Sequence, residues 1–397
     1  MKATMCLFIV GNLIGAGILA MPVEIGIAGM LPSLIGLILL GGAMLLTALI
    51  LSREATECKD ALFNFPSLYA RYLGPSGKWL AIAANILILY GMMVAYLSGG
   101  AVVISQIIGG SGYEALALIV FFSFLVSLSL GGKRLVHRAN ALMVILMWVA
   151  FAVILAVAGK HVEIERFGNA DWGFFPFALP VILTAFWFHN IIPNVCRNLN
   201  WERKAICQVM IIAIIIGLGM YLIWVLVAVG AVPLSGGDNS LIEAYRLNLP
   251  ATIPLEKISR SETFRLFTSA FALIALATSY ISTALGAVCF NEDLFRHTRK
   301  PVSRGLIRLA TFAPSFLIAL FFPHVFIKAI DLVGGLGIAI LFGILPCAIG
   351  LIRAQRDKRH FAKIGFALLF IAFILLALWQ TLVEFGILKP VIQQSFF

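Results

Sequence analysis

Charged residues are scarce in this chain of 397 amino acids. They make up 12% of it, only 18 residues are acids, and 61% are hydrophobic, which gives a mean hydropathy of +1.03. A soluble domain needs more polar surface than this composition provides. Long apolar runs recur along the whole chain. The sequence therefore predicts an all-α protein that crosses a lipid bilayer many times.

Catalytic and cofactor-binding motifs are also missing. The sequence has no Walker A motif, no glycine-rich dinucleotide fingerprint, no nucleophile elbow and no histidine–cysteine metal cluster. We therefore expect neither an enzyme nor a resident cofactor or metal. In the topology predicted below, all six cysteines fall in cytoplasmic loops or in the cytoplasmic halves of spans, so we expect reduced thiols without a disulfide framework. The net charge of +11 is explained by basic loops at one membrane face, and we expect no nucleic-acid partner.

Eleven apolar segments are long enough to cross a bilayer. They cover about residues 3–30, 31–52, 79–108, 114–131, 136–158, 175–197, 204–232, 264–290, 305–322, 324–352 and 361–385. If the N-terminus is cytoplasmic, 21 of the 29 lysines and arginines fall on the cytoplasmic side. This asymmetry predicts a cytoplasmic N-terminus and an external C-terminus. The longest external connection, 231–263, is either a cap with a short helix near 240–248 or a simple linker.

The first span is interrupted at its centre by glycines and an asparagine. Its middle reads Gly11-Asn12-Leu13-Ile14-Gly15-Ala16-Gly17. Each glycine lowers helix stability by about 1 kcal/mol relative to alanine. An unwound turn at membrane depth is tolerated where it lines a cavity, and its free backbone groups can then hold a ligand. The alternative is an intact helix whose glycines pack against a neighbour.

The sixth span carries a second interruption. His189-Asn190 and Pro193 lie in the middle of the segment, and proline removes a backbone donor. An ordinary proline kink is the alternative. Each interrupted span opens a block of five, 3–158 and 175–352, and an odd number of spans inverts the second block relative to the first. Interrupted spans at corresponding positions predict a binding site at their breaks.

Four segments carry a family resemblance. They are Leu13-Ile14-Gly15-Ala16-Gly17-Ile18-Leu19-Ala20-Met21-Pro22, Thr184-Ala185-Phe186-Trp187-Phe188-His189 with Pro193, Ala277-Thr278-Ser279 with Ala284-Leu285-Gly286 and Asp293-Leu294-Phe295, and Leu320-Phe321-Phe322-Pro323. Together they resemble the hydroxy and aromatic amino acid permeases, and the tyrosine-specific permeases in particular. The resemblance implies a leucine-transporter-type fold with a five-plus-five inverted repeat in residues 1–352. Residues 353–397 would then hold a cytoplasmic basic loop, an eleventh transmembrane helix and a short external tail.

The resemblance implies a symporter in a bacterial inner membrane. Such a symporter imports an aromatic amino acid, above all tyrosine, by alternating access and with protons as the coupling ion. Three departures from the family pattern bear on this. Trp187 and Asn190 stand where small residues are expected, Asn12 is unusual in the opening turn, and Met147 stands where related proton-coupled permeases often carry lysine. Sodium coupling therefore stays open, as do tryptophan or serine as substrates. A channel or a sensor is a more distant alternative.

The expected ligand has one carboxylate and one ammonium on the same carbon. The free N–H groups near Ala16 and Gly17 suit the carboxylate. Carbonyls in the breaks, hydroxyls of the eighth span and nearby aromatic rings suit the ammonium and the side chain. The substrate-binding candidates are Asn12, Gly15, Ala16, Gly17, Tyr96, Phe186, His189, Asn190 and Ser282, and the coupling-ion candidates are Thr278, Ser279 and His189.

Each candidate also has a structural interpretation. Aromatic residues often only pack, and hydroxyls often bond their own helix. His189 either gates or carries a proton, or else forms a hydrogen bond across the bundle. Glu24 and Asp331 are acids at membrane depth, which makes them functional candidates unless they lie at an interface. We expect a monomer.

Overall fold

The computed structural model describes residues 1–59, 64–110, 112–131, 133–259, 261–295 and 302–390, with the backbone alone for 133–137. These residues are almost entirely helical. Within these ranges, the β-structure consists of an isolated bridge between Gly29 and Ala170. The α-helices are α1 (Lys2–Leu13), α2 (Ala16–Ala28), α3 (Met30–Cys58), α4 (Phe65–Ile108), α5 (Glu114–Leu130), α6 (Lys133–Ala158), α7 (Phe175–Ala185), α8 (Ile192–Asn198), α9 (Arg203–Ala231), α10 (Leu241–Arg246), α11 (Thr252–Glu256), α12 (Glu262–Phe295), α13 (Arg304–Phe321), α14 (Phe326–Leu332), α15 (Leu345–Arg356) and α16 (His360–Glu384).

Many of these helices are long enough to cross a membrane. Among the described residues, nine helical segments pass by length and hydropathy, and the bent pair α1–α2 makes a tenth. α5 is a shorter apolar helix of 17 residues. The protein is therefore a multi-pass helical membrane protein. The count of eleven spans, the inverted repeat and the division at residue 352 stay predictions.

The first predicted break is confirmed. α1 ends at Leu13, α2 begins at Ala16, and the two helices are bent by 56°. Ile14 and Gly15 between them both have extended backbone conformations. All 13 residues of α2 are buried, so the outer half of this span lies at the centre of the bundle.

The second predicted break is also confirmed. It is an unwound stretch rather than a kink at Pro193. α7 ends at Ala185, a 3-10 turn covers His189–Ile191, and α8 begins at Ile192. Pro193 therefore lies in the first turn of α8, where a missing N–H leaves no helical hydrogen bond unmade. The proline thus starts a new helix after an unwound stretch.

The connection between α9 and α12 covers one end of the bundle. α10 and α11 lie in it, and the Ser240 hydroxyl caps α10 by accepting from the Glu243 N–H at 3.3 Å. The Ala251 N–H donates to the Leu19 carbonyl at 2.8 Å, which ties the connection to α2. This segment is a cap with a short helix, and the simple-linker interpretation was wrong. We call this end the cap face and the end that holds Lys2 the N-terminal face.

Two elements differ from simple apolar spans. α4 is 44 residues long because it starts at Phe65, before the predicted span, and bends at Gly74, whose φ of 71° is followed by Pro75. A π-helical stretch, Val333–Ile344, joins α14 to α15. Gly334 in this stretch lies so close to Pro180 that a Cβ would overlap its backbone. The wider helix therefore packs directly on α7.

Candidate functional site

A cavity of about 190 Å³ lies at the first break, between the two interrupted spans and α4, α6 and α12. Its lining residues are Leu7, Phe8, Gly11, Asn12, Leu13, Ile14, Gly15, Ala16, Gly17, Met92, Tyr96, Asn140, Val144, Thr184, Trp187, Asn190, Thr278, Ser279, Ser282 and Thr283. Most of the predicted candidates are among them. In this part of the chain, the lining consists of apolar, aromatic, amide and hydroxyl groups without a charged side chain.

Phe186 and His189 are the predicted residues that lie away from the cavity. Phe186 is fully buried, with its ring edge-on to Tyr221 at a centroid distance of 5.2 Å. The His189 Nε2 lies 3.0 Å from the Thr47 hydroxyl on α3, and its ring packs on Phe342 at 4.9 Å. His189 thus forms a hydrogen bond across the bundle, which was one of its two interpretations. A direct role for either residue in substrate binding stays a prediction.

Backbone and side-chain hydrogen bonds tie the two breaks together. The Asn12 amide donates to the Trp187 carbonyl at 3.3 Å. The Tyr221 hydroxyl on α9 lies 2.6 Å from both the Leu13 and the Ala185 carbonyl oxygens. These carbonyls end α1 and α7, where helical partners are missing. The Tyr221 hydroxyl is therefore a hydrogen-bond donor shared by the ends of both half-helices.

The close approach of α2 and α7 depends on Gly17. A Cβ at Gly17 would lie 2.8 Å from the Ala185 Cα, which is too close for a side chain. A Cβ at Gly15 would lie 3.2 Å from the Ser279 Oγ on α12. The glycines thus let the backbone of the first break lie directly between the second break and the hydroxyls of α12.

The N-terminus of α2 provides the donors for an anion. No side chain caps it, and the Ala16 and Gly17 backbones line the cavity. The first N–H groups of a helix lack intrahelical partners and carry the positive end of the helix dipole. The site can therefore hold a carboxylate without a charged side chain.

Two of the cavity hydroxyls on α12 donate within their own helix. The Thr278 hydroxyl donates to the Ile274 carbonyl at 2.9 Å, and the Ser282 hydroxyl donates to the Thr278 carbonyl at 3.0 Å. This was the structural interpretation of these residues. Each oxygen still has lone pairs on the cavity side, so both groups can accept a hydrogen bond from a ligand.

Eleven of the 20 residues that line the cavity were not among the candidates. Asn140 and Val144 lie one turn apart on α6 and face the cavity. The sequence signal for Asn140 is an amide inside an apolar span, where polar groups are costly and usually have a role. Trp187, a departure from the family pattern and one of the aromatic rings considered for the side-chain pocket, also lines the cavity. Its indole N–H is buried without a hydrogen-bond partner among the described residues.

The site lies next to a larger cavity at the N-terminal face, and the two share a lining residue. That cavity has a volume of about 1040 Å³, and polar residues such as Arg71, Glu292 and Asp293 line it. Asn190 lines both cavities and is exposed, although the residues on either side of it are buried. Towards the cap face, residues 18–28 of α2 are buried throughout. The structure is therefore open to the N-terminal face and closed at the cap face.

The fold and the cavity define a multi-pass membrane protein with a ligand site between two interrupted helices. Residues 2–383 match the profile of the tryptophan/tyrosine permease family, and the chain belongs to this family. It is a transport protein of bacterial permease type.

Curated relatives agree with this assignment. Tyrosine-specific transport system 1 of Haemophilus influenzae is 30% identical over 83% of this chain and 82% of its own length. Tyrosine-specific transport system 2 of the same organism is 30% identical over 83% and 82%. The tryptophan-specific transport protein of Haemophilus influenzae is 25% identical over 98% and 94%. The two tyrosine-specific proteins thus share more identity with this chain than the tryptophan-specific protein does.

Proposed function

We propose that this protein is a secondary active transporter that imports tyrosine by alternating access, with protons as the coupling ion. The observation that carries the proposal is the cavity at the first break. It joins an uncapped helix N-terminus, hydrogen-bond acceptors and aromatic rings in one space that opens to one face of the bundle. These are the groups that an aromatic amino acid needs.

The amino acid head group would lie across the first break. Its carboxylate accepts hydrogen bonds from the N–H groups of Ala16 and Gly17, each worth about 1.5–3 kcal/mol when one partner is charged. Its ammonium donates to the Asn12 amide oxygen and the Ser279 hydroxyl. The Asn12 oxygen is free for this role because the Asn12 nitrogen already donates to Trp187.

The substrate ring would lie among Phe8, Tyr96 and Trp187, which all line the cavity. Burial of 150–250 Å² of aromatic surface contributes roughly 4–6 kcal/mol. The unpaired Trp187 N–H favours tyrosine over tryptophan. A phenol oxygen accepts a hydrogen bond, whereas the indole of a tryptophan substrate offers only a second donor.

Alternating access would follow from an inverted repeat of 3–158 and 175–352. In this mechanism the interrupted spans and the helices that follow them, α1–α3 and α7–α9, rock against the rest of the bundle. The N-terminal face would be cytoplasmic, as the distribution of lysine and arginine predicts. The structure would then be the inward-open state, with its route to the outside closed under the cap.

Uptake into proteoliposomes tests the proposal. Purified protein is reconstituted, and labelled tyrosine uptake is followed with an imposed pH gradient and, separately, with an imposed Na⁺ gradient. We expect accumulation with the pH gradient alone. Accumulation with the Na⁺ gradient alone would show that sodium, and not the proton, is the coupling ion. Competition of tryptophan, serine and phenylalanine with labelled tyrosine defines the substrate.

Counterflow separates a carrier from a channel or a sensor. Unlabelled tyrosine loaded inside the vesicles should accelerate the entrance of labelled tyrosine, because a carrier exchanges its ligand across the membrane. A tyrosine flux without this acceleration would contradict the carrier mechanism. Vesicles without protein are the matched control.

A further inference from the structure

Two acidic side chains meet inside the bundle near the cap face. Glu24 on α2 and Asp331 on α14 lie within hydrogen-bonding reach of each other. Glu24 has no exposed surface, and neither of its carboxyl oxygens has a hydrogen-bond donor among the described residues. The Asp331 Oδ1 is buried in the same way. The two residues come from opposite ends of the chain, so the fold itself creates this pair.

No described cation neutralises the pair. Within the described part of the chain, neither carboxyl forms an ion pair with a lysine, arginine or histidine. The other ionisable groups that face it are Tyr245 on α10 and Glu384 on α16, and Glu384 accepts from the Gln380 amide at 2.8 Å. Two adjacent ionised carboxylates without a cation repel each other strongly in a buried site. The packed arrangement therefore requires at least one proton on the pair.

We propose that Glu24 and Asp331 together form the site that binds the coupled proton, an inference that rests on the carrier function proposed above. The proton is shared between the two carboxyl groups and holds α2 against α14. The proton leaves to water at the N-terminal face, after which two negative charges face each other and the two helices separate at the cap face. A proton then binds from the external water, and the cap face can close.

The pair is connected to the ligand cavity through the backbone. Glu24 lies two turns along α2 from Gly17, about 10 Å at 1.5 Å per residue. The carbonyl of Ile330, next to Asp331, accepts a hydrogen bond from the Thr184 hydroxyl at 3.2 Å, and Thr184 lines the cavity. Tyr245, which faces both acids, belongs to the cap helix α10. A change in the distance between the two acids therefore moves residues of both the substrate site and the cap.

Glu24→Gln and Asp331→Asn test the inference in proteoliposomes. A pH difference of about one unit limits a one-proton symporter to about tenfold accumulation at zero membrane potential. We expect the wild type to approach this limit for labelled tyrosine and to take up protons when tyrosine is added, as seen with a pH dye. Each variant should lose proton uptake and equilibrate tyrosine without accumulation, yet keep counterflow. Glu243→Gln, on α10 but in an ion pair with Arg246, is the matched control and should behave like the wild type.

The outcomes separate this inference from the proposed function. Wild-type protein without uptake or counterflow would contradict the carrier itself. Wild-type accumulation that persists in both variants would overturn the proton site. Infrared difference spectra of the wild type on tyrosine binding provide a measurement that needs no variant to fold. A protonated-carboxyl band that changes on binding supports the pair, and its absence overturns the inference.

Discussion

At the scale of single residues, Phe186 and Trp187 show that two adjacent side chains in a break can have different surroundings. They follow each other at the second break, but Phe186 is buried against Tyr221 while Trp187 lines the cavity. The sequence analysis named Phe186, which lies in the break, among the substrate-binding candidates. An unwound stretch has no helical or strand periodicity, so the sequence cannot tell which of two adjacent rings faces a ligand. The contacts of each ring decide it.

Replacement of Trp187 tests the proposed specificity. Trp187→Phe keeps an aromatic wall but removes the unpaired indole N–H. We expect the preference for tyrosine over phenylalanine to fall about fivefold, the value of a hydrogen bond of about 1 kcal/mol. Competition between the two amino acids for labelled tyrosine uptake measures it. Trp172→Phe, at an exposed tryptophan outside the cavity, is the control and should leave the ratio unchanged.

Gly17 and Gly11 give a matched pair for the close contact between the breaks. A Cβ at Gly17 would meet the Ala185 backbone, whereas a Cβ at Gly11 would find no atom within 4 Å. Gly17→Ala should destabilise the protein by about 1–3 kcal/mol through overpacking. Gly11→Ala should raise helix stability by up to about 1 kcal/mol. Thermal unfolding in detergent compares them, and equal midpoints for the two variants would contradict the packing argument.

At the scale of elements, local signals were sufficient for the breaks but not for their surroundings. The glycines and Asn12 of the first span and Pro193 of the sixth act within one or two turns, so the interruptions could be predicted. The π-helical stretch Val333–Ile344 could not, because it depends on how Gly334 packs against Pro180 in another helix. The sequence marks where helices stop and does not show which distant surfaces they contact.

The docking of α11, a helix in the connection that covers the cap face, should depend on pH through Glu256. This residue ends α11 and accepts from the Ser269 hydroxyl on α12 at 3.3 Å. Burial raises the pKa of the Glu256 carboxyl above its ordinary value of 4.5, so the docked cap binds the proton more tightly than the free segment does. Docking is therefore strongest below pH 4.5 and weakens as the pH rises through the raised pKa.

Hydrogen exchange of α11, corrected for the intrinsic pH dependence, measures this effect. Protection should decrease as the pH rises through the raised pKa of Glu256, and Glu256→Gln should make it independent of pH in this window. Glu243→Gln in the neighbouring α10 is the control and should keep the wild-type profile. A pH-independent wild type would show that the carboxyl does not control the cap.

At the scale of the whole molecule, the structure combines an open N-terminal face with a closed cap face. Asn190 is an exposed residue that lines both cavities, and Ile192, two residues further along the chain, is fully buried. In a background with the six cysteines replaced by serine, Asn190→Cys should react quickly with a membrane-impermeant thiol reagent in inside-out vesicles. Tyrosine should slow the reaction. Ile192→Cys should stay unmodified in both types of vesicle.

The same labelling tests the orientation. Fast modification of the Asn190→Cys variant in right-side-out vesicles, with none in inside-out vesicles, would reverse the assignment of the N-terminal face. The basic loops predicted that face as cytoplasmic, but a charge count says nothing of cavities. Only the three-dimensional arrangement places Asn190 between the binding site and the bulk solvent. The acid pair shows the same limit, because Glu24 and Asp331 stand at opposite ends of the sequence.

The shared hydrogen bond of Tyr221 has a consequence for the unloaded carrier. Its hydroxyl serves the last carbonyls of α1 and α7, and the Trp224 indole serves the Ile18 carbonyl at 2.7 Å. The protein, rather than the cargo, thus completes these backbone groups. Among the described residues, these three carbonyls need no substrate as a hydrogen-bond donor, so we expect the proposed carrier to return across its cycle when vacant and to support net uptake instead of obligatory exchange.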